Sequence, residues 1–80
     1  DAKGRVATTL IRVAEDIGKV KQGQVVIEEL PLQRDLASIA GTSRETISRV
    51  IKKFEEEGHC RMEHNALVFS DFAGFKRHYS

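Results

Sequence analysis

An α+β domain, a small helical core with a β-hairpin set against it, is predicted by three features of the sequence. Two stretches with helical periodicity, "QRDLASIA" and "SRETISRVIKKFEEE", are separated by Gly41 and Thr42 alone. Two segments that read as strands, "CRMEH" and "ALVFS", meet at a turn formed by His64 and Asn65. Eighty residues with 40% hydrophobic content are also enough for one core and too few for a second.

The elements follow in order along the chain. Val6, Leu10, Val13, Ala14 and Ile17 recur at helical spacing and Gly18 is a suitable stop, so residues 2–17 read as an amphipathic helix with this stripe in the core. Lys21, Gln22 and Gly23 read as a turn. "QVVIEEL" reads as a strand because β-branched side chains suit a pleated surface, and Pro31, which has no N–H to give to a ladder, ends it. In the second helix of the pair, Ile47, Val50, Ile51 and Phe54 fall at i, i+3, i+4 and i+7. Gly58 breaks this helix before the hairpin, where Asn65 is expected to take the left-handed turn conformation. "DFAGFKRHY" closes the chain as a short helix with Phe72, Phe75 and Tyr79 on one side.

Helix, strand, two helices, hairpin and helix, in that order, describe a winged helix-turn-helix. It forms a single domain over 1–80, with the helix-turn-helix unit at about 33–57 and the wing at about 60–70. Ala37 is small where the two helices must cross closely, and Gly41 stands where the chain needs a positive φ that other residues resist.

Thirteen Lys and Arg against twelve Asp and Glu leave a net charge of +1, so overall charge does not announce a nucleic-acid partner and its distribution has to carry that argument. Cys60, the single cysteine, excludes an internal disulfide and fits a reducing cytoplasm. No apolar run approaches the roughly 18 residues of a membrane span, and "DAKGRVATTL" has no signal-peptide centre. Without an initiating Met, the chain reads as a piece of a longer cytoplasmic protein.

Charges of both signs crowd the second helix of the pair. At 100° per residue, Arg44, Glu45, Ser48, Arg49 and Lys52 fall within a ~140° arc, with the apolar set opposite. Arginine is the commonest bidentate partner of guanine, a carboxylate can accept a hydrogen bond from cytosine N4, and a glutamate that faces phosphates is costly unless it reads a base. The plainer alternative is a solvated helix face. On that reading Thr42 and Glu45 form a capping box, and Glu45 pairs with Arg49 for ~0.2–0.5 kcal/mol. The two readings are compatible, since such a pair can aim Arg49 before DNA arrives.

The segment "DAKGRVATTL" followed by "RDLASIAGTSRETISRVIKKFEEEG" resembles the C-terminal domain of the Crp/Fnr transcription regulators, over nearly the whole chain. The resemblance implies sequence-specific binding of double-stranded DNA, with a recognition helix at 43–57 in the major groove. It places Arg44, Glu45 and Arg49 on the base-reading positions. Ser48 matches the fumarate-nitrate branch and Arg44 the cyclic-AMP branch, so a TGA-containing half-site is expected with its outer bases open. Matching positions imply phosphate contacts by Gln33, Arg34, Ser43, Thr46, His64 and Asn65, and by backbone amides near Gly4. Leu32 departs from the family, which often has a helix-capping Thr there. His64-Asn65 stands where a relative has Gly-Lys, which implies a weaker basic contact from the wing. The resemblance further implies a homodimeric full-length protein on an inverted repeat, and a contact with RNA polymerase at Lys19 to Gln24. A small-molecule effector would bind an N-terminal sensor domain missing here, and no cofactor is expected in this one.

His59, Cys60 and His64 match no structural metal spacing, so no metal is expected, and Cys60 reads as a buried apolar residue. No nucleophile motif or phosphate loop marks an enzyme. The acidic run Glu55 to Glu57 sits at an unfavourable helix end and has no functional reading from sequence. The rival from another class is a winged-helix module for protein–protein contact. Arg44, Glu45 and Arg49 disfavour it, because the centre of such an interface exposes apolar or aromatic anchors.

Overall fold

The computed structural model describes residues 1–80. The elements are α1 (Ala2–Ile17), β1 (Lys19–Lys21), β2 (Gln24–Ile27), α2 (Gln33–Ala40), α3 (Arg44–Glu56), β3 (Cys60–Glu63), β4 (Ala66–Phe69) and α4 (Phe72–Tyr79). All strand pairs are antiparallel and the sheet runs β1-β2-β4-β3. The fold is the winged helix-turn-helix that the element order predicts, with one strand more than expected. No helix is long and apolar enough to cross a membrane.

Three helices meet around Val6, Leu10, Leu36, Ile47 and Phe54, and the inner face of the sheet closes this core with Ile27, Leu67 and Phe69. α4 completes it: Phe75 is buried, and its ring lies 5.1 Å from Phe54 and 4.9 Å from Tyr79, in the edge and tilted arrangements that aromatic quadrupoles favour. Leu67 and Phe69 of β4 point into the core, while Val68 faces the other side of the sheet, where its position in a central strand between β2 and β3 leaves it buried among neighbouring side chains.

Several local expectations change. Lys21 belongs to β1, a hairpin strand, and the turn consists of Gln22 and Gly23, both left-handed at φ 52° and 78°, as a two-residue hairpin turn requires. All three β1 residues are exposed, and three residues are too short a run for a sequence reading to set a strand period. β2 stops at Ile27, before Glu28 and Glu29, because the chain bends there toward α2. Ile17 lies outside the core at 46% exposure, in the last turn where α1 has outrun its partners. In the wing turn the positive φ, 59°, falls on His64 and not on Asn65.

α1 is fastened at both ends. Lys3 Nζ donates to Glu57 at 2.9 Å, joining the start of α1 to the end of α3, and Lys76 of α4 pairs with Glu15. Arg5 Nε also donates to the Ala40 carbonyl at 3.2 Å, which ties α1 to the end of α2. The Lys3 hydrogen bond holds the Glu57 carboxyl below its ordinary 4.5. Hydrogen bonds from Lys21 and then Lys19 do the same for Glu28. A carboxylate depressed on folding stabilises fully above its unfolded value and loses this contribution as pH falls through the depressed one. The urea midpoint should therefore fall on acidification below about 4.5, and fall less in Glu57→Gln, with both effects smaller in high salt because the pairs are exposed.

Candidate nucleic-acid interface

The helix-turn-helix is set by its turn. α2 ends at Gly41, in the left-handed region at φ 71° and ψ 41°, and the Gly41 and Thr42 amides both reach back to the Ala37 carbonyl. α3 then starts after Ser43, whose hydroxyl accepts the Thr46 amide at 3.1 Å. The cap is therefore Ser43 and not Thr42, and Glu45 is a first-turn acid instead of the far end of a capping box. Ser43 has the extended conformation that a cap needs, φ −94° and ψ 160°, which explains the choice between two adjacent hydroxyl residues.

α3 buries Ile47, Val50, Ile51 and Phe54 against α1, α2 and the sheet. Its opposite face exposes Arg44, Glu45, Ser48, Arg49 and Lys52. The Glu45–Arg49 ion pair does not form: Arg49 Nη2 instead lies 3.5 Å from Thr46 Oγ1, the outer limit of a hydrogen bond. Arg44, Glu45, Ser48 and Lys52 take part in no side-chain hydrogen bond or ion pair within the chain. Their donors and acceptors are left to solvent or a partner, with no internal bond to be broken first.

Of the six residues expected at phosphates, Gln33, Arg34, Ser43, His64 and Asn65 are exposed and Thr46 is half-buried. Ser43 and Thr46 also bond to each other through their hydroxyls at 2.9 Å, so they shape the start of α3 as well as facing outward. Leu32 is the N-cap of α2 and gives no side-chain bond. The Asp35 and Leu36 amides fold back to its carbonyl at 2.9 and 3.0 Å, which leaves the Gln33 and Arg34 amides outside the helix ladder. The Gly4 amide differs: Asp1 Oδ1 accepts it at 2.6 Å, so the free amides at this end of α1 are those of Ala2 and Lys3.

Two features escaped the sequence reading. A cavity of about 610 Å³ between the start of α1 and α3 is lined by the bases Lys3, Arg49, Lys52 and Lys53 together with the acids Asp1 and Glu56. It brings together bases 49 residues apart in sequence, from Lys3 to Lys52, which only the helix packing can do. The second is the acidic run. Glu55 Oε2 accepts the Met62 amide of β3 at 3.0 Å, and Glu57 bonds to Lys3 and lies 3.6 Å from His59 Nε2. These partners compensate for carboxylates at the negative end of a helix dipole. His59 packs among Phe54, Phe75 and Tyr79, while burial, followed by the charge of Glu55, pushes the Cys60 thiol up to about 12. Such a thiol is not a thiolate ligand or nucleophile near neutral pH.

Residues 4–77 match the Crp-like helix-turn-helix domain family. The chain is 31% identical over 71 residues, 89% of its length, to a CRP-like cAMP-activated global transcriptional regulator of Mycobacterium tuberculosis, and covers 32% of that protein. It is 29% identical over 75 residues to the transcriptional regulator SdrP of Thermus thermophilus, covering 92% of this chain and 36% of that protein. Among solved structures, the CO-dependent transcription factor CooA from Carboxydothermus hydrogenoformans superposes with a TM-score of 0.82 at 27% identity, over 100% of this chain and 37% of that one. The chain thus spans about a third of the length of the relatives it matches.

The cap makes a test independent of any ligand. Ser43→Ala should lower the unfolding free energy by ~0.5–2 kcal/mol in urea titration, and Ser43→Asp should recover most of it, since either oxygen can accept the Thr46 amide.

Proposed function

Because the chain belongs to the Crp-like helix-turn-helix domain family, and the relatives named above are transcriptional regulators, we propose that it binds double-stranded DNA sequence-specifically, with α3 in the major groove. One observation carries the reading. A helix packed tightly on one face presents two arginines, a glutamate and a serine on the other, exposed and without ion pairs inside the chain. Unpaired arginines offer guanine O6 and N7 a bidentate donor fork, and Glu45 offers cytosine N4 an acceptor.

In this proposal Arg44 takes the outer guanine, Glu45 and Arg49 share the inner G·C pair of a TGA-containing half-site, and Ser48 lines the same groove. Gln33, Arg34, Ser43, Thr46, His64 and Asn65 fix the register on the sugar-phosphate backbone, which positions the domain without specifying sequence. The amides left open at the start of α2 and α1 supply further donors to phosphate. Lys52 and Lys53 add positive charge to α3 itself, beside the base-reading array, a local concentration that a net charge of +1 conceals.

The wider organisation belongs to the proposal too. The full-length protein pairs as a homodimer on an inverted repeat, with half-sites about one helical turn, ~34 Å, apart. Its effector binds outside the third that this chain matches. The exposed β1–β2 hairpin, Lys19 to Gln24, contacts RNA polymerase. Transcription assays on a full-length Lys21→Ala, Gln22→Ala variant check this last point: activation falls if the hairpin is the contact and stays at the wild-type level if it is not.

The base-reading claim is tested by fluorescence titration, at low salt, of wild type and Arg49→Ala against TGTGA-type, TTGAT-type and scrambled duplexes. Wild type should prefer a TGA-containing duplex, and Arg49→Ala should lose ~1–3 kcal/mol of that preference. Equal binding to all three duplexes, unaltered by the substitution, would favour a protein-contact role for the same surface.

A further inference from the structure

We propose that Glu55 is a positioning residue for DNA binding: by accepting the Met62 N–H it holds the wing at a fixed angle to α3, so that His64 and Asn65 reach the DNA backbone. The proposal rests on the DNA-binding reading above. β3 is an outer strand of the sheet, paired only with β4. The two-residue turn closes on the Glu63–Ala66 pair, so the antiparallel ladder runs through Glu63 and Arg61, and Met62 turns its N–H away from β4. An outward N–H on an edge strand is ordinarily left to water. Here a side chain from α3 takes it, at 3.0 Å.

The wing has a second hold on the other side, where the Leu30 amide donates to the Asn65 carbonyl at 2.9 Å. β4 is held by this bond and by its ladder to β2, but β3 is hydrogen-bonded in the sheet to β4 alone, so the outer edge of the wing can still twist away from α3, and the Glu55 bond ties that edge down. Location adds to the case. Glu55 and Met62 border a cavity of about 280 Å³ together with Gln33, Ser48 and Lys52, residues on the face assigned to DNA. A carboxylate there repels phosphate and also opposes the dipole of its own helix, so a surface shaped only by charge would not place one there. Its hydrogen bond to the wing gives a physical reason for it.

The experiment compares wild type, Glu55→Gln, Glu55→Asp and Glu55→Ala on two duplexes with the same TGA half-site, one extending under the wing and one ending short of it. Anisotropy gives affinity, and amide exchange at Met62, with Leu67 as the internal core reference, reports the bond. Wild type should gain affinity on the longer duplex. Glu55→Gln keeps an acceptor and sheds the charge, so it should keep that gain and bind both duplexes at least as tightly. Glu55→Asp keeps the charge but falls short, and like Glu55→Ala should lose about threefold to tenfold of the gain. In both, Met62 should exchange at least about tenfold faster with Leu67 unaffected and the preference for TGA intact. Equal losses in the Gln and Ala variants, or a gain undiminished in Ala and Asp, overturn the proposal and leave the DNA-binding reading standing. Absence of salt-sensitive binding by wild type itself overturns that reading and this one with it.

Discussion

At Gly41 the backbone turns left-handed, and the angle between α2 and α3 follows from that turn. With its own N–H and that of Thr42 both returned to the Ala37 carbonyl, α2 is closed off within one residue and α3 starts immediately after Ser43. A Cβ would meet no neighbouring atom there, so the constraint is conformational and not steric crowding by another part of the fold. A crossing so short demands small residues at the contact, and Ala37 and Ala40 supply them, leaving Ile47, Val50 and Ile51 to fill the angle above α1. Phe54, one turn further along α3, then reaches Phe75 and Tyr79 and brings the last helix into the same core.

The packing that buries one face of α3 determines what its other face displays. A helix whose apolar residues sit at i, i+3, i+4 and i+7 has no freedom to rotate, so Arg44, Glu45, Ser48 and Arg49 are carried to one side as a fixed array. Rigid presentation matters for reading base edges, because a donor fork displaced by an ångström no longer meets both guanine acceptors. The rest of the polar chemistry lies around this array. Lys3 and Glu57 fasten α1 to the end of α3, and Glu55 links the same end to the wing. An acidic stretch without a purpose in the sequence is, in three dimensions, where α3 is joined to two neighbouring elements.

The parts of the fold that were legible in sequence are those governed by periodicity and by special backbone residues. Ile47, Val50, Ile51 and Phe54 announced the buried face of α3, and Gly41 announced the turn. Those that were not depend on what lies opposite in space. β1 was missed because Lys19, Val20 and Lys21 are too few to set a period and all are exposed, so only their pairing with Gln24 to Val26 across the turn makes them a strand. Ser43 and not Thr42 caps α3 because the cap depends on one residue's extended backbone, which two neighbouring hydroxyl residues cannot reveal. The Glu45–Arg49 spacing allows an ion pair without compelling it, and in water so exposed a pair is worth too little to hold two long side chains together. The array of base-reading candidates was named from the sequence. The cleft beside it was not, since Lys3 lies 49 residues from Lys52 along the chain.

The claim on which the functional account depends is that Arg49 reads a guanine edge directly. The most direct measurement replaces the guanine of the TGA step with 7-deazaguanine, which lacks the N7 acceptor but pairs normally, and measures binding of wild type and Arg49→Ala to both duplexes. The account predicts about a tenfold loss for wild type and almost none for Arg49→Ala, so that the two changes are strongly non-additive. Equal losses for both proteins, or none for either, would contradict it: the arginine would then act on the backbone or not at all, and the array on α3 would be a charged surface without a reading function.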